Sequence, residues 1–347
     1  MTSNRLTFLF CVLVAIICMT GCKNHKDNNI CAHAETSGVY YWKTVLEIDS
    51  VERNFLIEND VHRAYVRFFD IVVDESPLAM DPVVPNATLQ VKDSFPVNEI
   101  VPTVYITIDA LRRMKSTEDE WAEKIVKRVF NMCSYNELSV PKELHLDCDW
   151  TMNSDTIFFN ICREVKRELQ LRNPKATLSA TIRLHQLSQT PPPVDYGVLM
   201  VYNTGSFKNP YENNSILSVE NVRPYIKYLS KYPLHLDYAF PIFSWNLLYQ
   251  EERFRGILNV KVKLPDTMLK PLENNRFEVV YDTLINNIPI QKGDIIRKED
   301  VSFKTIMEVK ALIEKESNDN RHSIILYSLD GQNLNNYSEN EFKKIYQ

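Results

Sequence analysis

The chain has 347 residues, a formal charge of −5, 44% hydrophobic and 11% aromatic content, and seven glycines. That length suits one large α/β domain or two ordinary ones, with ample apolar material for a core. The acidic balance argues against nucleic acid, for which a basic stripe is expected, and no glycine-rich loop is present to cradle a nucleotide cofactor.

Arg5 and an apolar run from Leu9 to Met19 come first. About a dozen apolar residues are too few to cross a hydrocarbon layer of roughly 30 Å as a helix. They fit the core of a signal peptide, residues 1–21, which stays out of the fold. Met19-Thr20-Gly21-Cys22 follows and resembles a lipobox, the processing sequence of bacterial lipoproteins. The resemblance implies cleavage before Cys22, acyl chains such as palmitate on that cysteine, and anchorage in the cell envelope. The expected place is the outer membrane, on its periplasmic or surface face. Each buried acyl methylene contributes about 0.8 kcal/mol. Residues 22–37 are polar and aperiodic, as expected of a disordered tether. No second run of about 18 apolar residues follows.

From residue 38 onward, short apolar runs alternate with helical patterns. The expected strands are Val39–Trp42, Ala64–Asp70, Thr103–Ile108, Leu144–Asp149, Leu178–Leu184, Val198–Tyr202, Leu234–Phe240 and Ser323–Leu329. Residues 73–100 are proline-rich and carry no helical period. Helices are expected over Thr117–Asn131, opened by a Thr117/Glu120 capping box, and over Asp155–Leu171, Val219–Leu229, Ser302–Glu316 and Glu339–Tyr346. Between about 257 and 300 the pattern shortens and alternates, as a small antiparallel insertion would. Eight strands with intervening helices predict a (β/α)8 TIM barrel over 38–347, whose active site would lie at the C-terminal strand ends. Cys31, Cys133, Cys148 and Cys162 lack zinc-ligand spacing. Both a disulfide and buried free thiols remain open for them.

Alternate residues of a strand share a face. On the fourth strand His145, Asp147 and Asp149 therefore point one way, while Leu146 and Cys148 point to the helical shell. Carboxylates about 7 Å apart and facing inward require hydrogen bonds or a raised pKa. The plainer reading of the pair is an anchor for Arg183. Other strand ends add Arg67 and Asp70, then Thr181, Arg183 and His185, then Met200, Tyr202 and Asn203, then Asp237 with Trp245 in the loop beyond, and finally Tyr327 and Asp330. Carboxylates, amides and flat rings around one cleft suit a sugar, whose C–H faces stack on aromatics while its hydroxyls need paired partners.

At these positions the sequence resembles the family-18 chitinases and endo-N-acetylglucosaminidases, whose fourth strand ends D-x-x-D-x-D-x-E. Here Asp147, Cys148, Asp149, Trp150 and Thr151 match its inner part. Met200-Val201-Tyr202-Asn203 matches the family's Met-x-Tyr-Asp/Asn on the sixth strand. Ala239-Phe240-Pro241 with Trp245 echoes the seventh, and Tyr327-Ser328-Leu329-Asp330 the eighth. The likeness covers roughly 140–330. It implies a glycan or glycoconjugate partner, catalytic candidates Asp147, Asp149 and Tyr202, and substrate contacts from Trp150, Arg183, His185, Asn203, Asp237, Trp245, Tyr327 and Asp330. No cofactor and no metal are implied, and a monomer is expected.

The family's proton-donating Glu is Thr151 in this chain, and its first acidic position is Leu144. A hydroxyl cannot protonate a glycosidic oxygen as a carboxylic acid does. The leading expectation is thus a glycan-binding envelope lipoprotein. The alternatives are a hydrolase drawing its proton from Asp70, Asp237 or Asp330, a metal-dependent hydrolase built on His145, Asp147, Asp149 and His185, and a structural protein with a vestigial cleft.

Overall fold

The computed structural model describes residues 36–347 apart from 77–81, 259–263, 286 and 319–320. The expected signal peptide, Cys22, Cys31 and nearly all of the tether lie outside the described residues.

Eight strands of the nine-stranded principal sheet form the barrel: β1 (Ser37–Tyr41), β2 (Arg63–Val73), β3 (Glu99–Ile106), β4 (Glu143–Asp147), β5 (Thr177–Arg183), β6 (Tyr196–Met200), β7 (Leu236–Pro241) and β8 (Ile324–Tyr327). Each pairs in parallel with the next, and β8 pairs with β1 to close the ring. The chain forms the closed (β/α)8 barrel that its strand pattern predicts. Period-two alternation sorts the side chains. Val39, Val66, Leu144, Leu146, Ile182, Leu199 and Leu326 join the large core beneath the helices. Tyr40, Tyr65, Val101, Val198, Met200, Ala239 and Ile325 fill the barrel.

The outer shell comprises α1 (Ser50–Glu58), α2 (Ile108–Arg113), α3 (Glu118–Tyr135), α4 (Asp155–Arg172), α5 (Val219–Ile226), α6 (Phe303–Glu316), α7 (Gly331–Leu334) and α8 (Glu339–Tyr346). Their starts follow local chemistry. Asp49 and Glu52 form a reciprocal capping box on α1, and the Ser302 hydroxyl accepts from the Thr305 N–H at the start of α6. Such caps each contribute about 1 kcal/mol. The Thr117/Glu120 box does not form: Thr117 precedes α3 but makes no side-chain cap, because its hydroxyl donates instead to the Met114 carbonyl. Two barrel units lack an α-helix among the described residues. β5 is followed by a single 3-10 turn, Leu184–Ser188. The connection from β2 to β3 holds the strand Val83–Asn86, which runs antiparallel to the end of β2.

After β7 the chain builds a five-stranded antiparallel sheet from Trp245–Gln250, Arg253–Leu258, Leu269–Pro271, Arg276–Val279 and Ile295–Glu299. Leu248, Leu258, Met268, Val279 and Ile296 form its own core. Trp245 therefore opens a strand of this sheet instead of lying in a loop. Arg297 and Glu299, both fully enclosed, lock the sheet to the segment after β6. Arg297 Nη1 donates to the Asn209 carbonyl at 2.8 Å, and the Ser215 hydroxyl donates to Glu299 Oε2 at 2.7 Å. Cys133, Cys148 and Cys162 are free and buried.

Candidate functional site

A cavity of about 460 Å³ opens at the C-terminal ends of β4, β5 and β6, lined by Asp149, Thr151, Arg183, His185, Met200, Tyr202, Asn203, Thr204, Phe207 and Tyr225. Arg183, the last residue of β5, is its electrostatic centre. Its Nη2 donates to Asp147 Oδ1 at 3.3 Å, and its Nε donates to Asp149 Oδ1. Asp147 also accepts from the Thr181 hydroxyl at 2.7 Å. The two carboxylates differ in exposure: the Asp147 side chain is 7% exposed and that of Asp149 53%. Burial pushes the Asp147 carboxyl above its usual range, and Arg183 only partly opposes this. Burial also works against the Arg183 charge, but Asp147 and Asp149 outweigh it and hold the guanidinium firmly protonated. An ion pair this enclosed costs desolvation that only matched partners offset.

Aromatic rings form the adjoining wall. Tyr202 stacks on Tyr327 with centroids 4.6 Å apart, and Tyr327 packs in turn on Tyr40, Trp42 and Phe243. Burial, then Tyr327, raises the Tyr202 pKa, so its phenol stays a neutral donor. Asn203 turns the chain away at the rim with φ +53°, a left-handed conformation that Asn tolerates better than most residues. Trp245 lies behind the wall against Phe207 and Phe243, its indole N–H donating to Glu299 Oε2 at 2.6 Å.

The remaining sequence candidates sit elsewhere. The Trp150 ring is fully buried against Phe158 and Phe159 of α4, inside the helical shell. Asp237 is enclosed near the N-terminal end of β7, accepting from the Ser323 N–H at 2.7 Å. Asp330 caps α7 and lies 3.7 Å from Lys43. Asp70 is paired with Arg67. None of Asp70, Asp237 and Asp330 lines the cavity. His145 lies deep in the barrel between the Tyr40 hydroxyl at 3.0 Å and Ser179 Oγ at 2.7 Å. Burial, then Arg183 and Arg63, hold it neutral down to about 3. His185 stands at the cavity edge, its pKa lowered by burial. Among the described residues no group of three or more His, Cys, Asp and Glu could hold a metal ion.

Sequence reasoning missed Phe207, Thr204 and Tyr225. Phe207 and Thr204 lie in an aperiodic stretch and Tyr225 on a short helix, so neither strand alternation nor motif spacing marks them.

Solved structures with this fold include the Bacillus cereus spore cortex-lytic enzyme SleL, at TM-score 0.53 and 13% identity over 90% of this chain and 75% of that one. A chitinase from Bacteroides thetaiotaomicron aligns at TM-score 0.49 and 11% identity over 90% and 97%. Chitinase ChiA74 from Bacillus thuringiensis aligns at 0.49 and 11% over 86% and 66%. No protein-family model and no curated protein sequence matches the chain. The likeness to SleL is one of fold, a closed (β/α)8 barrel.

Proposed function

We propose that the chain is a lipid-anchored envelope protein that binds a glycan or glycoconjugate in the mouth of its barrel and leaves the glycosidic bond intact. One observation carries the reading: Arg183 engages both Asp147 and Asp149, while Thr151 stands where the family resemblance places the proton donor. Lack of a general acid alone typically removes 10²–10⁴-fold in rate. What remains is a recognition surface. Tyr202 and Phe207 offer rings for sugar faces, with Tyr327 backing Tyr202, and Asn203, Thr204 and His185 offer donors and acceptors for hydroxyls. The anchoring rests on residues 1–22, whose apolar run ends in a lipobox-like sequence.

The test uses the full chain carrying Cys22→Ser, which removes the acylation site. Peptidoglycan fragments are the first probes, because SleL is named for cortex lysis, followed by N-acetylglucosamine oligomers and N-glycans. Binding is expected on a glycan array, with loss on Asp149→Ala or Tyr202→Phe and no reducing sugar released by wild type. Sugar release above background by wild type, or absence of binding to every class, would reject the proposal.

A further inference from the structure

On the outside of the barrel a groove of about 690 Å³ runs between β2 and α3, sharing no lining residue with the mouth cavity. Its floor is Phe69, Ile71, Val83 and Ile125, and its upper wall includes Val84 and Met132. Its position in the architecture explains it. In a (β/α)8 barrel the chain leaving each strand returns through a helix that covers the outward side chains. The described residues between β2 and β3 contain no helix, and the groove lies against β2 beside the helix that follows β3.

The rim is basic, and the described residues that line it include no Asp or Glu. Lys124, Lys127 and Arg128 occupy one side of α3. Among the described residues, Lys124 and Lys127 form no ion pair. Lys124 lies over the Trp121 ring at 4.5 Å. Arg128 donates through Nη2 to the Thr88 hydroxyl at 2.9 Å, and its buried Nε–H has no hydrogen-bond partner. A buried donor left unpaired costs about 1–3 kcal/mol. On a chain of charge −5, a cationic rim around an apolar trough runs against the overall balance.

We infer that this groove receives an acidic amphipathic helix of a partner protein, which takes the place of the outer helix that the described residues between β2 and β3 lack. Apolar residues at helical spacing would lie on Val84, Ile125 and Met132, as in helix-in-groove recognition. Carboxylates flanking that stripe would meet Lys124, Lys127 and Arg128.

The probe is a labelled 18-residue synthetic helix with Leu on one face and Glu on the other, and its control carries Lys in place of Glu. Fluorescence anisotropy with the full chain carrying Cys22→Ser should show at least tenfold tighter binding of the acidic peptide. Lys124→Glu with Lys127→Glu, both solvent-facing, should weaken it at least tenfold and shift preference to the basic peptide, with the unfolding midpoint and glycan binding unchanged. Equal binding of the two peptides, no binding of the acidic one, or insensitivity to the charge reversal would overturn the inference. So would charge-reversal-sensitive cosedimentation with phosphatidylglycerol vesicles, which would assign the groove to a membrane surface. Charge-reversal-sensitive self-association in analytical ultracentrifugation would assign it to a second copy and overturn the inference equally.

Discussion

Replacing Arg183 by Met probes the centre of the cavity directly. The guanidinium neutralises two carboxylates of unequal burial, so its removal has unequal consequences. Asp149 is more than half exposed and rehydrates at little cost. Asp147 is enclosed, with Thr181 as its remaining donor, and breaking a buried pair from one side costs about 3–5 kcal/mol. Arg183→Met should therefore lose about that much unfolding free energy in urea at pH 7.5. Acid should repair it. Burial already raises the folded-state pKa of Asp147 above the unfolded value, and removal of the cation raises it further. The folded state then binds the proton first, so stability rises as pH falls, by up to about 1.4 kcal/mol per pH unit. The defect should shrink between pH 7.5 and pH 5, and Asp147→Asn in the same background should restore most of it. A loss under about 1 kcal/mol, or a loss indifferent to both acid and Asp147→Asn, would show that the three residues are not one buried electrostatic unit.

His145 predicts the opposite slope. Its folded pKa of about 3 lies below the unfolded value of about 6.5, so the unfolded chain binds the extra proton and stability falls as pH drops through that window. The loss is about 1.6 kcal/mol from pH 6.5 to pH 5. His145→Gln should flatten that part of the wild-type profile, and identical slopes in paired denaturation series would contradict the assignment. Trp150→Ala should cost about 3–5 kcal/mol of stability while leaving the affinity of the folded protein for its glycan unchanged in calorimetry. Loss of affinity at retained stability would place that ring in recognition after all. Phe207→Ala should weaken glycan binding about tenfold through the lost ring face in the cavity, and unaltered titration curves would remove that ring from the site.

The barrel was legible because its strands are buried on both faces and separated by turn-forming residues, a pattern that period-two and period-3.6 reading both register. The fourth strand shows the reach of that reading. Leu144, Leu146 and Cys148 fall beneath the helices, and His145 and Asp147 fall inside, as alternation alone requires. Trp150, two residues past Cys148, keeps that outward face and packs on α4, so it was the family resemblance, and not alternation, that placed it in the cleft. Asp237 shows a second limit. The face of a strand is local, but depth in the barrel depends on where along the strand a residue sits relative to its neighbours' register. Asp237 is inward and still far from the mouth.

The sequence by itself determined the order of elements, the closed parallel architecture and the absence of a carboxylic acid at residue 151, since each depends on residue type and short-range periodicity. Only the tertiary structure decided between a free acidic pair and one held by Arg183, some 34 residues from Asp149, and showed that Phe207 and Tyr225 close around the same space. The physical reason is that ion pairing and ring stacking act over a few ångströms between segments whose approach is set by sheet closure. No spacing along the chain encodes that distance.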